Sequence, residues 1–320
     1  MIQQIATATI ICLFFTMLLY IYVKIAKSFN LTINIRRTYS QSQPVIGAGF
    51  IFPVGILLLL LFFDDVPIIP QLAFVALAVT SFIDDIKSLP VVPRLVVQLI
   101  ATFSLVSELF SGLDVDNRLF AQIGCVLLII SYLNASNFMD GINGMLIVNA
   151  VISLSALFII NLEFYFVHDN ALLGLICVCL VFAFGNVRKA PIFISGDVGS
   201  ISLGFILIWF CIELYMVTDN PMVFLIISVF CIDVAVTLAH TIFKRHNPFK
   251  AHRNHLYEKL VYRDLHTDLK VTAIYGLIHL LVCAFVVYCI IYTIDSVFVL
   301  GLSFLCLIVF YCIFRFFIVK

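Results

Sequence analysis

The sequence predicts an all-α, polytopic membrane helix bundle, and three observations point there. Hydrophobic residues make up 63% of the 320-residue chain and charged residues only 11%, against roughly 45–50% and 25% in soluble domains. Apolar runs of helical, membrane-crossing length recur from one end to the other. Every Lys and Arg except Arg118 falls in alternate loops or span ends, with an 18-to-18 balance of basic and acidic residues overall. This composition excludes a soluble secreted domain, a nucleic-acid binder built on basic patches and a disordered scaffold.

Runs bounded by charge, Pro or Gly give eleven spans, with ten as the alternative count: about 5–25, 44–63, 67–83, 94–113, 119–137, 143–162, 169–185, 199–217, 221–241, 270–293 and 296–318. The runs at 67–83 and 169–185 are the shortest. The first run has no basic residue before it and no small-residue cleavage site after it, so it reads as a retained span. Cytoplasmic Lys/Arg excess sets orientation. The N-terminus is therefore expected on the periplasmic or outer side, the C-terminus in the cytoplasm, and any chemistry on the cytoplasmic face. The chain reads as one integral-membrane domain, 1–320, with cytoplasmic loops at about 26–43, 84–93, 138–142, 186–198 and 242–269. All ten cysteines lie in apolar stretches and read as small hydrophobes, with no spacing of a disulfide framework or zinc site.

Four of these cytoplasmic segments carry polar groups that membrane packing would not select. Asp84-Asp85 ends the third span, and two adjacent acids near hydrocarbon call for a cation or divalent metal unless they are a solvated loop end. Asp64-Asp65, in an outer turn, is the same dipeptide without that context. In the run Asn134 to Gly144, Asn134, Asn137 and Asp140 follow one another at intervals of three, which places them on one helix face. Amides beside a carboxylate suit a nucleobase and ribose; turn chemistry is the plainer reading. Asp197, between Gly196 and Gly199 before an apolar run, reads either as a helix cap or as a magnesium ligand. His252, Arg253 and His255 lie within one turn of each other in a basic loop, a setting that favours anions over zinc. Asp233, inside the ninth span, is costly there and reads as a packing, supporting or substrate group. His168, His240 and His279 are isolated.

Asp84-Asp85 with Leu89-Pro90, the Asn134–Gly144 run, Gly196-Asp-Val-Gly-Ser200 and His252-Arg-Asn-His255, in this order, resemble the polyprenyl-phosphate N-acetylhexosamine-1-phosphate transferase family, glycosyltransferase family 4. The His-Arg-x-His form is most similar to the bacterial branch that initiates surface polysaccharides. The resemblance implies an Mg²⁺-dependent phosphoglycosyl transferase, with Mn²⁺ as a substitute. It would move a sugar 1-phosphate from a UDP-N-acetylhexosamine to undecaprenyl phosphate and release UMP. It implies Asp84, Asp85 and Asp197 as catalytic residues, with Asp197 as the metal ligand, Asp85 joining it at the metal, and the Asp84/Asp85 pair near the lipid phosphate. Asn137, Asp140 and Asn143 would line the nucleotide site, Asn134 and Asn186 would also bind substrate, and His252, Arg253 and His255 would bind the diphosphate or sugar. The expected partners are the two substrates and membrane lipids, with a homodimer compatible and no nucleic acid. Two departures stand out: the first loop, Arg37 to Gly49, lacks the family's usual His near Ser40 and basic residue near Ile46, and His240 replaces a basic residue after the ninth span. The competing class is a transporter or flippase, which also uses acids within the membrane.

Overall fold

The computed structural model describes residues 2–37, 40–63, 67–111, 118–245, 255–262 and 267–318. His252, Arg253 and Asp64-Asp65 lie outside them. The described chain is a helix bundle: α1 (Ile2–Ser28), α2 (Ile51–Phe63), α3 (Ile68–Ile86), α4 (Val91–Leu109), α5 (Arg118–Met139), α6 (Met145–Phe164), α7 (Asp169–Asn186), α8 (Gly196–Thr218), α9 (Ser228–Phe243), α10 (Leu256–Tyr262), α11 (Asp268–Ile291) and α12 (Val297–Ile318). A 3-10 turn, Ala48–Phe50, leads into α2, and another, Pro221–Ile227, leads into α9. An antiparallel pair of short strands, β1 (Ile35–Arg37) with β2 (Ser40–Ser42), is the strand content of the described residues apart from isolated bridges.

Ten helices are long and apolar enough to cross a membrane; Ala48–Phe62 is apolar but shorter. Each of the eleven expected spans therefore contains a helix among its described residues, and the ten-span count corresponds to that short second helix rather than to the short third or seventh run. Backbone amides without water partners in hydrocarbon must bond within their own segment, which is why long apolar runs become helices here.

Packing sorts the helices into a core and a rim. α8 packs against α3, α5 and α6, α6 packs against α7 and α11, and α1 and α2 flank α7. Of the apolar window of α8, 72% is buried, against 11% in α1 and 6% in α12. The antiparallel run of neighbours brings the C-terminal ends of α3, α5 and α7 and the N-terminal ends of α4, α6 and α8 to one end of the bundle, where the polar motifs meet.

Candidate active site

The N-terminus of α8 organises this end. Its first turn leaves backbone N–H groups without intrahelical partners, and the cap comes from another helix. Asp85 of α3 accepts from Asp197 N at 2.6 Å on one carboxylate oxygen and from Val198 N at 3.2 Å on the other. A carboxylate there also meets the positive end of the helix dipole, a contribution of about 1 kcal/mol. Gly196 turns the chain into the helix at φ +65°, and a Cβ on it would lie 2.5 Å from the Asp85 oxygens. Of the two alternatives for Asp197, the cap is thus taken by Asp85, and the Asp197 side chain turns outward, 31% exposed.

Around that turn three more groups converge. Asp84 accepts from Leu89 N at 2.5 Å and is ion-paired with Arg94 of α4. The same Arg94 nitrogen reaches Asp197 at 3.1 Å. The Asn137 amide also hydrogen-bonds Asp197. Asp140, just past α5, accepts from the Ser195 hydroxyl at 2.5 Å. Burial, together with the negative charges of Asp85 and Asp197, pushes the Asp140 carboxyl well above the ordinary carboxylate range, against the pull of the Ser195 hydrogen bond. Four carboxyl groups thus gather here, and the Arg94 guanidinium pairs with two of them, Asp84 and Asp197; such an arrangement repels itself unless further positive charge arrives.

The other predicted amides do something different. Asn134 hydrogen-bonds Gln98 of α4 and the Ile130 carbonyl. Asn186 accepts from Gly144 N and donates to the Phe193 carbonyl. Asn143 donates to the Arg188 carbonyl, and its own carbonyl accepts from Thr272 of α11. These three tie loops and helices together behind the acids; Asn137 is the amide that faces them. His255 is nearly buried and pairs through Nδ1 with Asp233 at 2.9 Å.

The first loop, despite its departures, is part of the scaffold. Val45 exchanges backbone hydrogen bonds with Ile192 and Ile194. Gly49 lies so close to the Ser195 carbonyl and Gly199 that a side chain would not fit. The Tyr22 hydroxyl donates to the Ile46 carbonyl at 2.8 Å. The backbone of Gly49 is thus packed directly against that of Ser195 and Gly199, on either side of the Asp197 turn.

Sequence reading missed Arg94, which it counted only as a positive-inside residue, and Ser195. Their partners are 10, 103 and 55 residues away. The available signal was Arg94 following Pro90 and Pro93 at the start of a span, a cation placed within reach of the preceding acids by a tight turn.

A metal cage is not built from protein groups alone: among the described residues no three His, Cys, Asp or Glu side chains are grouped to hold one. Mg²⁺ does not require such a cage, since it keeps several waters and commonly takes one or two carboxylates plus phosphate oxygens. An outward carboxylate beside a surplus of negative charge fits that chemistry.

No curated protein matches the chain. Residues 68–215, from α3 into the last turns of α8, hold Asp84, Asp85, Arg94, Asn137, Asp140, Ser195 and Asp197, and they match the model of glycosyl transferase family 4, the family that the sequence motifs resemble.

Proposed function

We propose that this protein transfers an N-acetylhexosamine 1-phosphate from a UDP-sugar to undecaprenyl phosphate on the cytoplasmic face of a bacterial plasma membrane, releasing UMP and starting a surface polymer. The observation that carries this reading is the meeting of Asp84, Asp85, Asp140 and Asp197 with Arg94 at one end of the bundle, inside the matched segment. Scattered acids, or acids at opposite ends, would have spoken against it.

Asp197 would hold Mg²⁺, with Asp85 beside it already engaged through both oxygens to the α8 backbone. The chemistry it would supply there is positive charge against the diphosphate oxygens. In the bond change, an oxygen of the lipid phosphate attacks the sugar-side phosphorus. The bridge to the α-phosphate breaks, and UMP carries away the electron pair. A phosphate monoester has its second pKa at about 6 and is largely dianionic at neutral pH, so the nucleophile needs little help from a base. Asp84, held by Leu89 N and Arg94, accordingly acts by orienting Arg94 rather than by taking a proton. Asn137 and Asp140 would contact the uridine side, and His252, Arg253 and His255 the diphosphate or sugar.

The test is an assay of the purified, lipid-reconstituted protein with undecaprenyl phosphate and a panel of UDP-N-acetylhexosamines, following UMP. Mg²⁺-dependent UMP release with one of them is expected. Vesicle uptake of a labelled solute without UMP would overturn the reading in favour of transport.

A further inference from the structure

Asp233 is a fully buried carboxylate inside α9, with no exposed surface, and none of the steps above uses it. A charge in that position is costly and persists only when its oxygens are satisfied. It has three partners from three parts of the chain. His255 Nδ1, just before α10, meets Oδ1 at 2.9 Å. The Tyr275 hydroxyl of α11 donates to Oδ2 at 2.6 Å. Thr237, one turn further along α9, donates to Oδ1 at 3.4 Å. Arg315 of α12 in turn donates to Thr237 Oγ1 at 3.0 Å and to the Tyr311 hydroxyl at 3.3 Å, so the last helix is tied into the same chain of contacts.

His255 also meets the end of α5, which carries Asn137 of the site. Its ring lies between Phe138 and Tyr257, 5.9 Å from each centroid. Tyr257 donates its hydroxyl to the Phe138 carbonyl at 2.6 Å, which pins the start of α10 against the end of α5. Phe138 follows Asn137 directly and precedes Asp140 by two. An ionised carboxylate can only accept, so Nδ1 carries a hydrogen. Nε2 then remains, and among the described residues it has no hydrogen-bond partner. With both ring nitrogens protonated, Nε2–H is a charged donor suited to a phosphate oxygen.

We propose that Asp233, held by Tyr275 and Thr237, is a positioning residue that orients His255 so that Nε2 donates to the diphosphate of the bound sugar nucleotide. This rests on the transfer reaction proposed above and assigns it a group from the ninth span. A positioning residue should act only through the group it holds, and a double-mutant cycle reads that directly.

The experiment compares full-length Asp233→Asn, His255→Ala and the double variant in lipid nanodiscs, each first shown to be monodisperse. UMP release should fall about 10–100-fold in kcat for Asp233→Asn, the range usual for loss of an orienting partner. The KM for undecaprenyl phosphate should stay within about twofold. The double variant should be no slower than His255→Ala alone. Equal losses that multiply in the double variant, or an unchanged kcat in Asp233→Asn, would overturn the proposal. A second readout is independent of turnover. Solid-state ¹⁵N spectra of histidine-labelled protein should show a hydrogen-bonded Nδ1–H that disappears in both His255→Ala and Asp233→Asn. Absence of that signal in the parent protein that releases UMP refutes the orientation alone. Its presence in protein that releases no UMP from any UDP-sugar refutes the transfer reaction and the phosphate role of Nε2 together.

Discussion

α8 and α12 are both apolar spans, yet the more hydrophobic one is the less buried. α12 has a mean hydropathy of 2.8 with 6% of its window buried, and α8 has 2.0 with 72% buried. In water the order would be reversed. In a bilayer the surrounding tails are as apolar as Leu, so hydrophobicity gives no reason for helices to associate, and close packing and polar contacts decide which do. α8 accordingly carries Gly196, Asp197, Gly199, Ser200, Ser202 and Gly204 along its first nine residues, whereas α12 is Phe-, Leu- and Val-rich and touches the bundle chiefly near α9. The lesson is that the helix at the centre of the candidate site is marked by its small and polar residues rather than by its hydrophobicity.

The strongest way to sharpen this contrast is Asp197→Asn, which keeps the shape of α8 and removes one charge. UMP release should drop by at least about 10³-fold, as expected when a central electrostatic group is lost; near-normal turnover would sink the metal role of Asp197. Next comes Gly204→Leu, on the buried face of α8. A Cβ there lies 2.9 Å from the Ser136 hydroxyl and close to Leu133 of α5. Overpacking costs about 1–3 kcal/mol, so the thermal midpoint in detergent should fall by several degrees; an unchanged midpoint would show that α5 and α8 pack less tightly than described. Gly196→Ala should follow. It forces a left-handed φ on a residue with a Cβ, worth about 1–2 kcal/mol, and pushes on the Asp85 carboxylate. Turnover should fall tenfold or more with the protein still folded, and full activity would mean that the cap by Asp85 is dispensable. The smallest effect belongs to α12: nothing lies within 4 Å of a Cβ on Gly301. Gly301→Leu should leave both midpoint and turnover unchanged, and a marked loss would reveal a partner on that face.

Much of this was legible from the chain alone, and the limits have a physical pattern. Asp84, Asp85, Asn137, Asp140 and Asp197 stood out because polar residues closing apolar spans are rare and need a reason. Asn134, Asn143 and Asn186 stood out by the same logic but are used to tie Gln98, Arg188, Gly144 and Phe193 in place. Residue type cannot tell an amide that meets the acid cluster from one that satisfies a buried protein group. The first loop illustrates the converse. Its missing His and basic residue are visible in sequence, but the fit of Gly49 against Ser195 and Gly199 is a backbone contact across some 150 residues with no local signature.

The sequence by itself determined the eleven helical segments, because span length and hydropathy are properties read along one dimension and the bilayer permits few alternatives. It also determined that the acids would lie at one end, since alternating spans fix the parity of every loop. Tertiary structure alone decided the pairings: Arg94 between Asp84 and Asp197, Asp85 as the cap of a helix 112 residues away, and Asp233 beneath His255. Those partners are chosen by which helices lie side by side and at what height, and that depends on the shape of every neighbouring side chain at once.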